Sequence, residues 1–260
     1  MGTRTRAGAG IRTTVAVAAM AGVLGWAGPT RAAEITILVN QGAVSGVRDL
    51  AAGFEQATGN KVNVSFEPGN ALNEKIKSNA PADLVTQVLE QFDGLVKDGK
   101  VVPGSFVEFA RAGNGVAVKE GTLKRDISTP EAFKQAMLNS ASIGHTNAGT
   151  GPFNTRLFQK LGIYDQVKGK VKIIEGRPVA VAVAAGDIEI GIQQTNVIQP
   201  VPGTIYLGPL PKDLMEYGRF GVGLLTVSKE PEVAKALIKF MAAPENAALV
   251  RKSAMEPPQS

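Results

Sequence analysis

Residues 34–72 read as a strand, a polar glycine turn, a helix, a second strand and a second polar turn, and this unit constrains the fold more than any other stretch. Residues 34–40 alternate with Ile35, Ile37 and Val39 on one side, and residues 61–67 repeat the pattern with Val62, Val64 and Phe66. Between them Val47, Leu50, Phe54 and Ala57 share one face of a helix. A βαβ unit with parallel strands brings both following turns, Gln41-Gly42-Ala43 and Pro68-Gly69-Asn70, to the carboxyl edge of one sheet. Helix-start N–H groups can hold an anion there. A ligand cleft lined by these turns is therefore expected, its opposite wall coming from the rest of the chain.

The same logic continues along the sequence. Residues 71–77 read as a short helix, 84–89 as an apolar strand and 91–98 as a helix closed by Gly99. Strands are expected at 106–110 and 115–119, around a turn at Ala112-Gly113-Asn114. Thr129 is placed to cap a helix that opens at Pro130, with Phe133, Ala136 and Met137 on one face. A strand at 142–146, a polar turn over 147–151 and a helix at 154–161 repeat the strand, turn, helix order of the first half. Residues 171–174 form a further strand. Residues 179–185 alternate like a strand, yet Pro178 and Gly186 bracket them like a helix, which is the reading adopted. Strands at 188–193, 204–207 and 220–227 and a helix from Pro231, broken at Pro244, complete the chain. Alternating strands and helices imply an α/β class with parallel sheets covered on both faces. Two such runs suggest two lobes with chain crossings near 113–119 and 217–227.

Composition matters only once the first 32 residues are set aside. Arg4, Arg6 and Arg12, an apolar run over 13–27 and Thr30-Arg31-Ala32 have the order of an export signal, with cleavage expected after Ala32. The run is short for a membrane span, so a soluble, freely diffusing periplasmic monomer is expected. Of the formal charge of +5, four arginines fall in this segment with no acid among them, which leaves +1. Nucleic-acid binding is therefore not expected. The chain has no cysteine and a single histidine, His145, so disulfides, lipid attachment and the usual zinc sites are not expected. No phosphate-binding lysine loop or dinucleotide fingerprint occurs, and no metal or cofactor is expected.

Read in order, the strand and turn at 35–43, Leu50-Ala51-Ala52-Gly53-Phe54-Glu55-Gln56-Ala57-Thr58-Gly59, Gly69-Asn70-Ala71-Leu72, Ala80-Pro81-Ala82-Asp83, residues 183–191 and the closing helix at 234–244 resemble the type II extracytoplasmic solute-binding proteins of the molybdate-binding-like family. The resemblance covers nearly all of the chain after the signal. It implies a periplasmic binding protein type II fold, two α/β lobes joined by two hinge crossings around a ligand cleft, with lobe I from 33–112 plus 218–260 and lobe II from 113–217. It also implies a small anionic ligand and an inner-membrane ABC permease as partner. Molybdate binders in this family carry serine in both early turns and tyrosine after the late strand. Here the first turn has Gln41, Gly42 and Ala43, Gly69 matches the second serine, and Gln193-Gln194-Thr195 stands where the tyrosine would be, so an organic acid is expected rather than molybdate. Ile192-Gln193-Gln194 and Leu207-Gly208-Pro209-Leu210-Pro211 resemble a branch that includes periplasmic aconitate isomerases, which opens an alternative: an isomerase of an unsaturated tricarboxylic acid.

The expected ligand contacts are therefore Gln41, Gly42, Ala43, Gly69, Asn70, Thr146, Asn147, Thr150, Gly151, Gln193 and Gln194, uncharged groups suited to reversible capture of an anion. Such residues also punctuate ordinary βα turns. Arg111, Arg156 and Arg177 lie nearest the turns, and Arg177, just before a helix start, is the expected bidentate partner of a carboxylate. His145, ending a strand at the cleft edge, would be the base of an isomerase, with Glu67, Glu90 and Glu175 as competitors. Glu67 is expected to be exposed, and Asp187 and Glu189 to lie on a solvated strand edge.

Overall fold

The computed structural model describes residues 1–3, 32–67, 70–147 and 150–259. Residues 4–31, which carry most of the expected export signal, and turn positions Pro68, Gly69, Ala148 and Gly149 lie outside the described residues. All the elements belong to the unit Ala32–Ser260. In chain order they begin β1 (Glu34–Val39), α1 (Val44–Thr58), β2 (Lys61–Phe66), α2 (Ala71–Lys77), β3 (Leu84–Val88), α3 (Phe92–Lys97) and β4 (Val107–Ala112). Next come β5 (Asn114–Lys119), α4 (Pro130–Leu138), β6 (Ile143–His145), α5 (Thr150–Lys160), α6 (Tyr164–Val167), β7 (Val171–Ile173), α7 (Val179–Ala185), β8 (Ile190–Gln194), α8 (Thr195–Ile198) and β9 (Thr204–Pro209). β10 (Gly218–Leu224), α9 (Pro231–Ala242) and α10 (Ala247–Lys252) finish the fold.

The strands form two five-stranded sheets, ordered β2-β1-β3-β10-β4 and β7-β6-β8-β5-β9. The expected βαβ unit is present: β1 pairs in parallel with β2 from Glu34↔Lys61 to Val39↔Phe66, and α1 buries Val47, Leu50 and Phe54 beneath it. Gly59, at φ 76°, ends α1 in the left-handed conformation that glycine adopts without strain. Ile35, Ile37 and Val39 share one core with Leu237, Ile238 and Met241 of α9, so the end of the chain returns to the first sheet. The second sheet has its own core, in which Val116, Ile143, Ile190 and Ile192 meet Phe133, Met137, Phe153, Leu157 and Phe158. Thr129 caps α4 as expected, its hydroxyl accepting from the Ala132 N–H at 3.1 Å.

The sheets are mixed, not parallel. β10 runs antiparallel to β3 and β4, and β5 runs antiparallel to β8 and β9. The cause is the route of the chain. β4, parallel to β3, leaves the first sheet at its carboxyl edge, and β5 enters the second sheet at the carboxyl edge of β8. Any strand entering there must run backwards, and β10 does the same on the return. The expected turn at 112–114 is therefore a crossing: strand continues to Ala112 and resumes at Asn114 in the other sheet.

Other boundaries moved for local reasons. α5 starts at Thr150, not at Asn154, because Gly151 has no Cβ to collide with the Thr146 carbonyl and Pro152 falls in the first turn, whose N–H groups need no helical partner. β8 starts at Ile190, so Asp187 and Glu189 are not strand residues. Glu189 pairs with Arg125 and accepts the Ala141 N–H at 2.6 Å, contacts that hold its carboxyl below its ordinary pKa despite partial burial. The short helices α6 and α8 have no counterpart in the sequence reading.

Candidate functional site

The crossings determine where a ligand can lie. Both pass from carboxyl edge to carboxyl edge, which brings the turn after β1 against the segment that follows β8. Named contacts close this arrangement. Asn196, in α8 just beyond β8, donates from Nδ2 to the Gly42 carbonyl at 2.8 Å and to Ser45 Oγ at 3.2 Å. The Thr195 N–H donates to the Gly113 carbonyl at 2.9 Å in the first crossing. Gly42 is required by proximity: a Cβ there would fall 2.7 Å from Phe220 Cζ and 2.8 Å from Gln194 Oε1. Gly42, Gln194 and Phe220 thus form the floor between the two edges.

The features that could hold an anion near these edges are backbone ones. α1, α5, α7 and α8 have no acidic residue in the first turn, so their positive ends are not neutralised from within. Asn40 stabilises the first turn by accepting the Ala43 N–H at its Oδ1, 3.1 Å away. Gln193, 5 % exposed, points into its own sheet's helix layer, where its Oε1 accepts the Val179 N–H at 2.8 Å and caps α7. Asn70 precedes α2, and Thr150 and Gly151 form the first turn of α5. Asn147 donates to Glu175 across the β6 and β7 turns.

His145 is 4 % exposed and ends β6 on the face that α5 covers. Its Nδ1 lies 2.8 Å from the Thr146 carbonyl, an acceptor, so Nδ1 carries a proton; in the neutral ring this leaves the lone pair on Nε2, the tautomer a base requires. Of its competitors, Glu67 corrects the sequence reading: it is buried, not exposed, because Lys75 Nζ and Ser65 Oγ both donate to its Oε1. The Lys75 ammonium holds the Glu67 carboxyl below its ordinary pKa. Glu90 is exposed.

The three arginines nearest the turns each carry a carboxylate. Arg111 pairs with Glu256 at 2.7 Å and lies over the Tyr217 ring, Arg156 pairs with Glu216 at 3.2 Å, and Arg177 pairs with Asp187 at 2.6 Å. Asp187 lies past the far end of α7, so the Arg177 guanidinium extends away from the edge at which α7 begins. Two surface cavities, of about 720 and about 510 Å³, contain none of the turn residues. Among the described residues no group of His, Cys, Asp and Glu is placed to hold a metal, and no helix is long and apolar enough to cross a membrane.

Sequence reasoning missed Asn114, Asn154 and Asn196, all buried and each with at least one side-chain atom lacking a hydrogen-bond partner. For Asn154 a signal exists: it occupies a helical-spacing position among Phe153, Leu157 and Phe158, where an apolar residue belongs.

Comparison with known proteins agrees with this geometry. Aconitate isomerase from Pseudomonas sp is 29% identical over 229 residues, 86% of this chain and 87% of that protein. The molybdate-binding protein ModA of Azotobacter vinelandii is 27% identical over 252 residues, 90% and 94% of the two chains. The solved Azotobacter vinelandii periplasmic molybdate-binding protein superposes with a TM-score of 0.70 at 18% identity, covering 86% of this chain and all of that one. The model of the bacterial extracellular solute-binding protein family matches residues 35–256. With two sheets meeting at their carboxyl edges and a family match across nearly every element, this chain belongs to the bacterial extracellular solute-binding proteins.

Proposed function

We propose that the protein captures a small organic anion in the periplasm and delivers it to an ABC importer. Residues 33–112 with 218–260 would act as one lobe and 113–217 as the other, closing by hinge motion at the two crossings. The observation that carries this reading is the meeting of two carboxyl edges at Gly42 and Asn196, with carboxylate-free helix starts on both sides. Neutral N–H donors bind an anion strongly enough to trap it and weakly enough to release it. A first turn of Gln41, Gly42 and Ala43, without the serine that molybdate binders of the family carry there, favours an organic acid over a metal oxyanion. The export reading of residues 1–32 and the extracellular family support a periplasmic location.

The test is thermal melting of the purified protein against a panel of di- and tricarboxylic acids with molybdate and sulfate beside them. A ligand present at one hundred times its dissociation constant stabilises by about 2.7 kcal/mol, a shift readily seen in a chain of this size. Stabilisation by a carboxylic acid and none by the oxyanions is the expected result. An unmoved melting curve throughout the panel would defeat the proposal.

His145 favours a second reading, in which the bound acid is isomerised. With Nδ1 donating to Thr146, the Nε2 lone pair could take a proton from a carbon next to the double bond of aconitate, a proton then being returned two carbons away. The relative named aconitate isomerase supports this reading. Proton NMR with trans-aconitate in deuterated buffer decides: cis-aconitate should appear with the wild type and not with His145→Ala.

A further inference from the structure

Asn154 is fully buried, and neither its Oδ1 nor its Nδ2 has a hydrogen-bond partner. Exchanging the two atoms of the amide leaves the same need: one donor and one acceptor. Buried polar groups in folded proteins are almost always paired, so both atoms of one side chain left open point to something that fills them.

Its place in the fold says what. Asn154 lies three residues after Gly151 on the buried face of α5, the face that Gly151 turns to His145 Nδ1 and the Thr146 carbonyl. Helical side chains lean toward their helix's N-terminus, so Asn154 points back to the carboxyl edge of the sheet. Asn114 stands on the same side, sharing the strand face of Val116 and Val118, which pack in the core that α5 covers. The Asn114 Oδ1 is likewise buried without a partner, and its register neighbour is Gln194.

Resting on the organic-acid reading above, we propose that the ligand is a 2-hydroxycarboxylic acid and that Asn154 is the residue that selects it. A fully ionised oxyanion or a bare carboxylate brings only acceptors and would leave the Asn154 oxygen unpaired. A 2-hydroxy acid places a hydroxyl donor beside a carboxylate acceptor: the hydroxyl donates to Oδ1 while a carboxylate oxygen accepts from Nδ2. The N–H groups opening α5 then face the same carboxylate.

Calorimetric titration with matched acids tests this: malate against succinate, and citrate against tricarballylate, each pair differing by one hydroxyl. The hydroxy member of at least one pair should bind about tenfold tighter, the worth of one well-buried hydrogen bond. In Asn154→Leu, checked for folding by circular dichroism, that ratio should fall to about one. Equal affinity within both pairs overturns the inference and leaves the organic-acid reading standing, and needs no variant. A folded Asn154→Leu that keeps the preference overturns it too. If none of the four acids binds, this inference fails, and the organic-acid reading is decided separately by the wider melting panel.

Discussion

Glu67 shows how one contact can reverse what a residue type suggests. A glutamate ending a strand reads as surface, yet the turn into α2 brings Lys75 back over it, and the pair allows the carboxylate to sit buried at the cleft edge. Because the folded pKa is depressed, the stabilisation is fully present above the unfolded carboxyl pKa of roughly 4.3 and is lost as pH falls through the lower folded value. Lys75→Met removes the partner and leaves a buried carboxylate, which should cost about 1–3 kcal/mol at pH 7. Denaturant unfolding at pH 7 and again near pH 3 checks it. The gap between wild type and variant should narrow as falling pH protonates Glu67, and a gap of equal size at both pH values would refute the assignment. Nothing in the residues around 67 announces this pairing, since it depends on the angle at which α2 leaves its turn.

At the scale of elements the sequence was most legible where a side chain acts on its neighbours. Thr129 with Pro130, Gly59 after α1 and the brackets Pro178 and Gly186 each set a boundary through local backbone chemistry, and each boundary is where those residues put it. What could not be read were features set by the path of the chain. The antiparallel strands β5 and β10 look like any other apolar run, and their direction follows from the edge at which they enter a sheet. Asp83 is an intermediate case: the Ala80-Pro81-Ala82-Asp83 motif supported the family reading, but its purpose is visible only in three dimensions. Its Oδ2 accepts the Thr36 N–H of β1 at 2.9 Å, while Oδ1 accepts from Ser228 Oγ at 2.7 Å and from the Lys229 N–H at 3.1 Å, ahead of α9. One carboxylate, just ahead of β3, therefore ties β1 to the start of α9. Asp83→Ala leaves partly buried donors from two distant segments unpaired and should destabilise by about 1–3 kcal/mol in equilibrium unfolding. Amide exchange should show the protection loss concentrated in α9 and the first turn after Leu225, and a loss below about 0.5 kcal/mol would show the donors to be satisfied by solvent.

For the whole molecule the question is what holds the two carboxyl edges together. That polar turns gather at the carboxyl edge was legible, because βα turns must lie there, but which residue joins the two edges was not. Asn196 sits in a four-residue helix with no periodic signal, and its partners lie about 150 positions away in sequence. Its amide nitrogen spends both hydrogens on the first sheet's turn, on the Gly42 carbonyl and Ser45 Oγ, and these bonds exist only while the edges meet. On the hinge motion proposed above, Asn196 would weight the equilibrium between separated and closed edges, and a ligand that binds the closed form would feel that weight directly. Asn196→Leu removes two hydrogen bonds worth about 0.5–1.5 kcal/mol each and leaves the Gly42 carbonyl facing an apolar group. Ligand affinity should fall by about tenfold or more, with the loss expressed as population of the open form. Small-angle scattering of the unliganded variant should give a larger radius of gyration than the wild type, and saturating ligand should bring the two to the same value. A variant that binds weakly yet scatters like the wild type without ligand would place Asn196 among the ligand contacts instead, and would move the closing interaction to the neighbouring approach of Gln194 on Gly42 and Gly218.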